Sequence, residues 1–451
     1  MTITIAAAAK AASPFRIAIV GAGPSGFYAA EALLRAPINI QIDMFERLPV
    51  PYGLVRFGVA PDHPKLKQVT AVFDRIASMP GFRFVGGIDV GIDVTIDTLF
   101  DCYHAVILAT GAALGRKMGI PGESLPGSHQ ASDFIGWYNG HPDYRDCCFD
   151  LSGERAVIVG HGNVALDIAR ILLKTTDELR HSDIAAHALE ALDESKIREV
   201  QVVGRRGLLE TRFSAKELQE FSTLSDCDPV LDPDDPVPDV AALPDGTDAE
   251  KRAAVSMLAS FSTQISDRKR RCVFRFHLQP HAIEGRDRVE RMVFSRGSSL
   301  SGDRSMPVSI DCGLVFSSIG RRSAPVPGVA YDEVRGVHAN VAGRGPHQAT
   351  YVCGWSKRGP QGTIGANRAC AVETVQHVLA DLSSNGHRVL ADADALIGRL
   401  ASKHGVHIDF ASWQAIDAAE LEQGRLAGKP REKFLSVDQM IAVVTKRRTA
   451  C

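Results

Sequence analysis

Short unbroken apolar runs punctuate the chain, and most of them stop at a glycine. Ile17-Ala18-Ile19-Val20 leads into Gly21-Ala22-Gly23-Pro24-Ser25-Gly26, and Phe27 to Arg35 are good helix formers. An apolar run without alternation predicts a strand buried on both faces, as in a parallel sheet. A second strand is read at Ile40 to Phe45, interrupted by Gln41 and Asp43 and ending in Glu46, and a third at Tyr103 to Ala109, ending in Thr110-Gly111. Lys65 to Met79 has helical spacing, while Phe82 to Val85 and Asp89 to Val94 alternate like short strands. Leu48 to Pro64 holds four prolines and two glycines. That predicts a long loop with no regular element, apolar enough to cover a ligand.

The pattern then restarts. Arg155 to Val159 runs into Gly160-His161-Gly162-Asn163-Val164-Ala165, and Leu166 to Lys174 continues as a helix. The paired strand, Val200 to Gly204, follows after about forty residues rather than the usual twenty or so. A helical stretch, His181 to Ile197, accounts for the difference. Asp226 to Asp248 is acidic and proline-rich and reads as a surface excursion with no core pattern. Strands return at Cys272 to Leu278, Val289 to Ser295, Cys312 to Gly320 and Tyr351 to Trp355. A glycine-rich turn, Gly359 to Gly365, precedes a helix from about Ala366 to Leu382. His387 to Arg448 reads as two or three helices around a short extended piece. The expected fold class is therefore α/β with two Rossmann-like dinucleotide-binding domains. The second is inserted in the first: residues 1–111 and 320–451 form one domain and 112–319 the other.

Strand, G-x-G-x-x-G and helix in succession carry a specific chemistry. Gly21 permits the tight turn, Gly23 lets a pyrophosphate approach the backbone, and Gly26 allows close packing of helix on strand. The helix N-terminus then offers N–H groups and a positive dipole end to the phosphates. Glu46, about twenty residues past Gly26, is placed to accept ribose hydroxyls. The second unit instead ends its paired strand in Arg205-Arg206. A cationic fork suits a 2′-phosphate, so this unit is expected to prefer NADP over NAD, unless the pair is merely two surface arginines beside a turn. Two dinucleotide folds imply one cofactor that stays and one that visits. FAD suits the unit with the acid and NADPH the unit with the arginines.

Composition narrows the reading. The chain has 451 residues and 45% hydrophobic residues, enough for two or three cored domains. A net charge of −2 argues against a dedicated nucleic-acid binder. Nine cysteines form no C-x-x-C, so neither a disulfide framework nor a cluster held by this chain is expected, and a reducing, cytoplasmic location is. No apolar stretch is long enough to span a membrane. Met1 to Pro14 reads as a frayed tail rather than a targeting peptide. Arg268-Lys269-Arg270-Arg271 reads as a solvated face or as a docking site for an acidic partner. Lys357, Arg358 and Lys446 to Arg448 are further candidates for such a face.

These residues resemble the adrenodoxin-reductase-like family of ferredoxin–NADP(+) reductases. The likeness extends from roughly Phe15 to Val444. It rests on Val20 to Tyr28, on Tyr52 to Pro64, on Gly162 to Asp167, on Val203 to Gly207 and on Gly354 to Pro360. The resemblance implies FAD contacts at Ala22, Glu46, Leu54, Val90, Arg116, Trp355, Gly362, Thr363 and Ile364. It implies NADP contacts at His161, Gly162, Asn163, Val164, Arg205, Arg206, Glu217 and Gly362. It places His63 and Glu220 as polar, catalytic-site groups near the meeting point of nicotinamide and flavin. Read from the residues alone, His63 equally suits a turn cap, and Glu217 and Glu220, three apart on a helix, equally suit a solvated acidic face. His161 departs from the smaller or amide side chain expected between the glycines. The implied activity is electron transfer from NADPH by hydride to FAD, then singly to a separate iron–sulfur ferredoxin. No metal site, a monomer, and no integral membrane association are expected. Another NADPH-dependent flavoenzyme, monooxygenase-like, and a non-catalytic FAD/NADPH sensor are the alternatives. A dithiol reductase lacks its C-x-x-C.

Overall fold

A computed structural model of the chain describes residues 13–235, 239–261, 267–296, 306–347, 349–385, 388–401 and 405–449. Residues 1–12 of the expected tail, and parts of the excursion and C-terminal segment, His387 among them, lie outside these residues. The chain divides into two compact units: residues up to 59, 63–114 and from 321 on, and residues 60–62 with 115–320.

The first unit is built on a five-stranded parallel sheet. Its order is Thr350–Val352, Ala105–Leu108, Phe15–Val20, Ile40–Glu46, Phe82–Gly86. Chain order reverses at Phe15–Val20, and the carboxyl ends beside such a switch point form the ligand crevice of open α/β sheets. The helices Pro24–Leu34 and Ala366–Asn385 pack together on one face. Ile17, Ile19, Ile42, Met44 and Ile107 form the core beneath them, none more than slightly exposed.

The second unit is a six-stranded parallel sheet. Its order is Ser128–Gln130, Leu314–Ser317, Arg155–Val159, Glu199–Val203, Arg270–Arg275, Cys227–Leu231. The helix Asn163–Leu173 buries Leu166, Ile168, Ala169 and Leu172 against it. An antiparallel sheet of Leu278–Glu284, Arg291–Arg296 and Met306–Asp311 adds a second core.

Four local expectations are corrected. Within Leu48 to Pro64 the residues Gly53–Phe57 do make a helical turn, entered through Tyr52 at φ 84°. Lys65 to Met79 is two helices, Pro64–Lys67 and Thr70–Ala77, where the Thr70 hydroxyl donates back to the Lys67 carbonyl at 3.0 Å. Asp89 to Val94 is a turn, because the Asp93 carboxylate accepts the Asp89 N–H at 2.7 Å and competes with strand pairing. Asp226 to Asp248 contains a sheet strand, Cys227–Leu231, with Cys227 and Leu231 buried. Pro229 fits there because this is an edge strand.

Candidate functional site

In the first unit the three motif glycines have different surroundings. A Cβ on Gly21, whose φ is +105°, would lie 2.6 Å from the Ala109 carbonyl oxygen, and one on Gly26 would lie 2.2 Å from the Gly21 carbonyl oxygen. A Cβ on Gly23 would meet nothing within 4 Å. The turn is therefore closed on two sides and open at its middle glycine. Glu46 stands beside it, half-buried, its carboxylate accepting the Ala22 N–H at 3.0 Å and the Leu48 N–H at 3.2 Å. Burial pushes the Glu46 carboxyl above the usual carboxylate range, against those amide donors.

The loop after Glu46 is fastened to the same turn. The Tyr52 N–H donates to the Ala22 carbonyl at 2.7 Å, and a Cβ on Gly53 would lie 3.3 Å from the Gly23 Cα. Leu54 follows on the helical turn, and Val90 is buried in its own turn. The last strand arrives from the other side. Gly354, at φ +66°, lies so close to Ser25 that a Cβ would sit 1.8 Å from its Oγ. Trp355 is half-buried, and its indole N–H donates to the Gln361 carbonyl at 3.2 Å. Gly362 and Thr363 are exposed and Ile364 half-buried, just before the helix Ala366–Asn385. Gly21, Ala22, Gly23, Glu46, Leu54, Trp355 and the 362–364 turn thus gather around the carboxyl end of this sheet. His63 also belongs to this unit, at the start of Pro64–Lys67.

Sequence reading missed what holds the loop down. Arg56 is buried, and its guanidinium donates to both Glu420 carboxylate oxygens at 2.6 and 2.8 Å. Glu420 also accepts Arg431 at 2.9 Å and the Phe434 N–H at 3.0 Å. Burial opposes ionisation of Glu420, but the two guanidinium groups outweigh it and hold the carboxyl below the usual range. A lone arginine in an apolar loop, Leu54-Val55-Arg56-Phe57, was the available signal.

The second unit repeats the glycine logic. A Cβ on Gly160 would lie 2.2 Å from the Ser318 carbonyl oxygen, one on Gly162 would meet nothing within 4 Å, and Ala165 is fully buried. The Asn163 carboxamide oxygen accepts the Ser214 N–H at 3.2 Å, and Val164 is exposed. Arg205 and Arg206 follow the strand Glu199–Val203, both exposed, with no ion-pair partner among the described residues. Arg116 also lies in this unit, its N–H on the Gly320 carbonyl at 3.0 Å.

His161 turns its ring away from the open side. Its Nε2 is 3.2 Å from the Val202 carbonyl, and the ring packs 4.6 Å from Phe276. A Cβ on Gly204 would strike this ring at 2.2 Å, so His161 and Gly204 are coupled choices. Burial drives the imidazole pKa from 6.5 down to about 4. The unfolded chain therefore binds a proton that the native ring refuses, so His161 contributes stability that is full above pH 6.5 and lost as pH falls toward about 4. Between pH 7 and pH 5 the wild type is expected to lose about 2 kcal/mol more than His161→Gln. Urea titrations of this unit's unfolding at the two pH values check this, and equal losses would show that the native ring titrates normally.

Glu217 and Glu220 share the helix Ala215–Ser222 and face a buried arginine rather than solvent alone. Arg170, with 1% of its side chain exposed, lies 3.6 Å from Glu217 and 3.3 Å from Glu220. It also binds Asp62 at 2.6 Å and Asp167 at 2.6 Å, and Lys174 reaches Asp62 at 2.8 Å. Burial opposes the charge on Asp62, yet Arg170 and Lys174 hold it well below the usual carboxylate range. This network was also missed. Arg170 between Ala169 and Ile171, on an otherwise apolar face, was its mark.

Three of the four cations of the basic run bind the chain itself, while Lys269 is exposed. The Arg268 guanidinium donates to the Cys227 carbonyl, Arg270 to the Leu173 and Lys174 carbonyls, and Arg271 pairs with Glu199. These residues line a cavity of about 550 Å³ at the amino end of the six-stranded sheet, the end opposite Gly160–Asn163. Lys357 pairs with Glu373 at 2.8 Å, and Arg358 donates to the Asn367 carboxamide. Strand and helix ends need these cations for their own carbonyls and carboxylates.

Residues 15–221 match the family described as "Pyridine nucleotide-disulphide oxidoreductase". The chain is 41% identical to the NADPH-ferredoxin reductase FprA of Mycobacterium tuberculosis, over 95% of this chain and 99% of that one. It is 40% identical to the mitochondrial NADPH:adrenodoxin oxidoreductase of Salvelinus fontinalis, over 96% and 91%. The structure of M. tuberculosis FprA in complex with NADPH superposes with a TM-score of 0.90, at 40% identity, over 96% of this chain and all of that one. With two glycine cradles of this kind, one beside a glutamate and one beside an arginine pair, the chain belongs to the adrenodoxin-reductase-like family of ferredoxin–NADP reductases.

Proposed function

We infer that this chain transfers electrons from NADPH through FAD to a separate iron–sulfur ferredoxin, acting as a monomer in the cytoplasm. It is an oxidoreductase of the NADPH-dependent flavoprotein type. The observation that carries the reading is the pair of open glycines. Gly23 and Gly162 are uncrowded where their neighbours Gly21, Gly26 and Gly160 are filled, and that is the space a diphosphate needs. The residues therefore fit both dinucleotides.

On this reading the first unit holds FAD. Ala22 and Gly23 would receive the diphosphate, Glu46 a ribose, and Leu54, Val90, Trp355 and Gly362 to Ile364 the rest, with Arg116 a further contact that the family resemblance implies. The second unit holds NADP(H) at His161 to Val164, Arg205, Arg206 and Glu217. FAD, when bound, accepts two electrons as one hydride and can release them singly. The chain's own share is to orient and to shield. Arg56 and Glu420 anchor the apolar loop to the helix Phe410–Leu426, and Arg170 holds Glu217 and Glu220 in place. We assign His63 and Glu220 to positioning the nicotinamide or managing a proton.

Absence of C-x-x-C supports a ferredoxin outside this chain. No helix among the described residues is long and apolar enough to cross a membrane, and the described cysteines are free, which fits a reducing compartment. Anaerobic mixing of the FAD-loaded protein with NADPH and then with oxidised ferredoxin tests the function. Bleaching of the flavin followed by ferredoxin reduction is the expected result. NADPH oxidation that requires an organic substrate would mark a monooxygenase, and no turnover with any one-electron acceptor would mark a sensor.

The glycines supply a sharper check. Gly23→Ala is expected to fold and to lose FAD, because its Cβ enters only the diphosphate space. Gly26→Ala is expected to lose the folded unit, because its Cβ meets backbone at 2.2 Å. Flavin content and circular dichroism of the two variants separate these outcomes. A Gly23→Ala protein as yellow as wild type would refute the assignment.

A further inference from the structure

We propose that Arg212 is a third phosphate-binding arginine, which grips the diphosphate of NADP(H) while Arg205 and Arg206 grip the 2′-phosphate. The proposal rests on the NADP reading of the second unit. Arg212 forms a parallel β-bridge with Gly162, and its N–H donates to the His161 carbonyl at 2.8 Å. Bridge partners send their side chains to the same side. On that side Gly162 has open space, so the Arg212 side chain stands over the opening left for the diphosphate.

Alternation along the segment agrees. Thr211 and Phe213 are buried and Arg212 between them is exposed. Phe213 packs toward the His161 ring at 5.6 Å, on the side away from the opening. The backbone is held on each side of Arg212. Lys251 donates to the Thr211 carbonyl, and Asn163 accepts the Ser214 N–H. Arg212 has no ion-pair partner among the described residues, whereas Lys251, which reaches the carbonyl of the preceding residue, is engaged. An exposed cation on a fixed extended segment, without an ion-pair partner and beside an uncrowded glycine, suits a planar fork on a diphosphate. It also supplies the charge that the neutral, inward His161 does not.

Three ligands separate the roles in equilibrium titrations of the FAD-loaded protein. NADP+ carries both phosphate sites, NAD+ lacks the 2′-phosphate, and 2′-AMP lacks the diphosphate. Arg212→Ala is expected to weaken NADP+ and NAD+ by a similar factor of about ten and to leave 2′-AMP unchanged. Retained 2′-AMP affinity also reports that the unit is folded. Arg212→Lys should recover part of the loss, because it restores the charge without the fork. Unchanged NADP+ affinity in Arg212→Ala overturns the proposal. A wild type that binds neither NADP+ nor 2′-AMP overturns the NADP reading instead.

Discussion

Replacing Arg205 and Arg206 together by alanine is expected to lower kcat/KM for NADPH by about two to three powers of ten while barely changing NADH use. Each charge-assisted hydrogen bond to a 2′-phosphate contributes about 1.5–3 kcal/mol, and exposure of both side chains puts the pair near the lower end. The 2′-phosphate is remote from the reacting carbon and is bound alike in ground and transition states. The loss should therefore fall on KM, with kcat at saturation nearly unchanged. Flavin content should hold, because these residues belong to the other unit. Steady-state kinetics with both nucleotides check this, and a double variant that keeps its NADPH preference would make the pair structural.

The second large effect is expected at Glu420. Glu420→Gln leaves the Arg56 guanidinium, 4% exposed, without its counter-charge in an apolar setting. Breaking a buried pair from one side costs about 3–5 kcal/mol. For a unit of this size that corresponds to a Tm lower by roughly 6–15 °C. Flavin should be lost in the same transition, since Arg56 lies on the loop fastened to the Gly21–Gly23 turn. Removing the Arg56 charge as well, as Arg56→Met with Glu420→Gln, is expected to be milder than Glu420→Gln alone, because Arg431 keeps Asp417 at 2.6 Å. The sign of the pH dependence follows from the depressed carboxyl. Glu420 contributes stability above the ordinary carboxylate pKa and loses it as pH falls through the lower folded value, so the wild type should be more acid-sensitive than Glu420→Gln. Thermal scans followed by flavin fluorescence at pH 7 and pH 4 check both statements. A double variant as unstable as the single one would show that packing, not charge, sets the loss.

Both dinucleotide folds were legible because their cause is local. Val20 to Gly26 and Val159 to Ala165 carry strand, turn and helix within a few residues, and Glu46 and Arg205-Arg206 sit at fixed offsets from them. What escaped depended on distant partners. Arg56 finds Glu420 across most of the chain, and nothing near either residue says so. Asp232 and Asp235 looked like solvent-facing acids, yet they are buried because Arg275 and Arg296 meet them there. Arg268, Arg270 and Arg271 looked like an unengaged patch for the same reason in reverse: the carbonyls and the Glu199 carboxylate that meet them lie on other strands and at a helix end. Local sequence shows where a charge is, and only the tertiary fold shows what neutralises it.

The interrupted first unit has a consequence for biosynthesis. Every strand of the six-stranded sheet lies between residues 115 and 320, so that sheet can close as soon as this stretch has left the ribosome. The five-stranded sheet cannot. Its edge strand, Thr350–Val352, emerges only after the whole second unit, and the carboxylate that neutralises Arg56 emerges later still. The glycine turn at residues 21–26 therefore waits for partners that follow the whole insert in the chain. FAD capture by this unit is therefore expected to wait for long-range closure rather than for the appearance of its glycine turn.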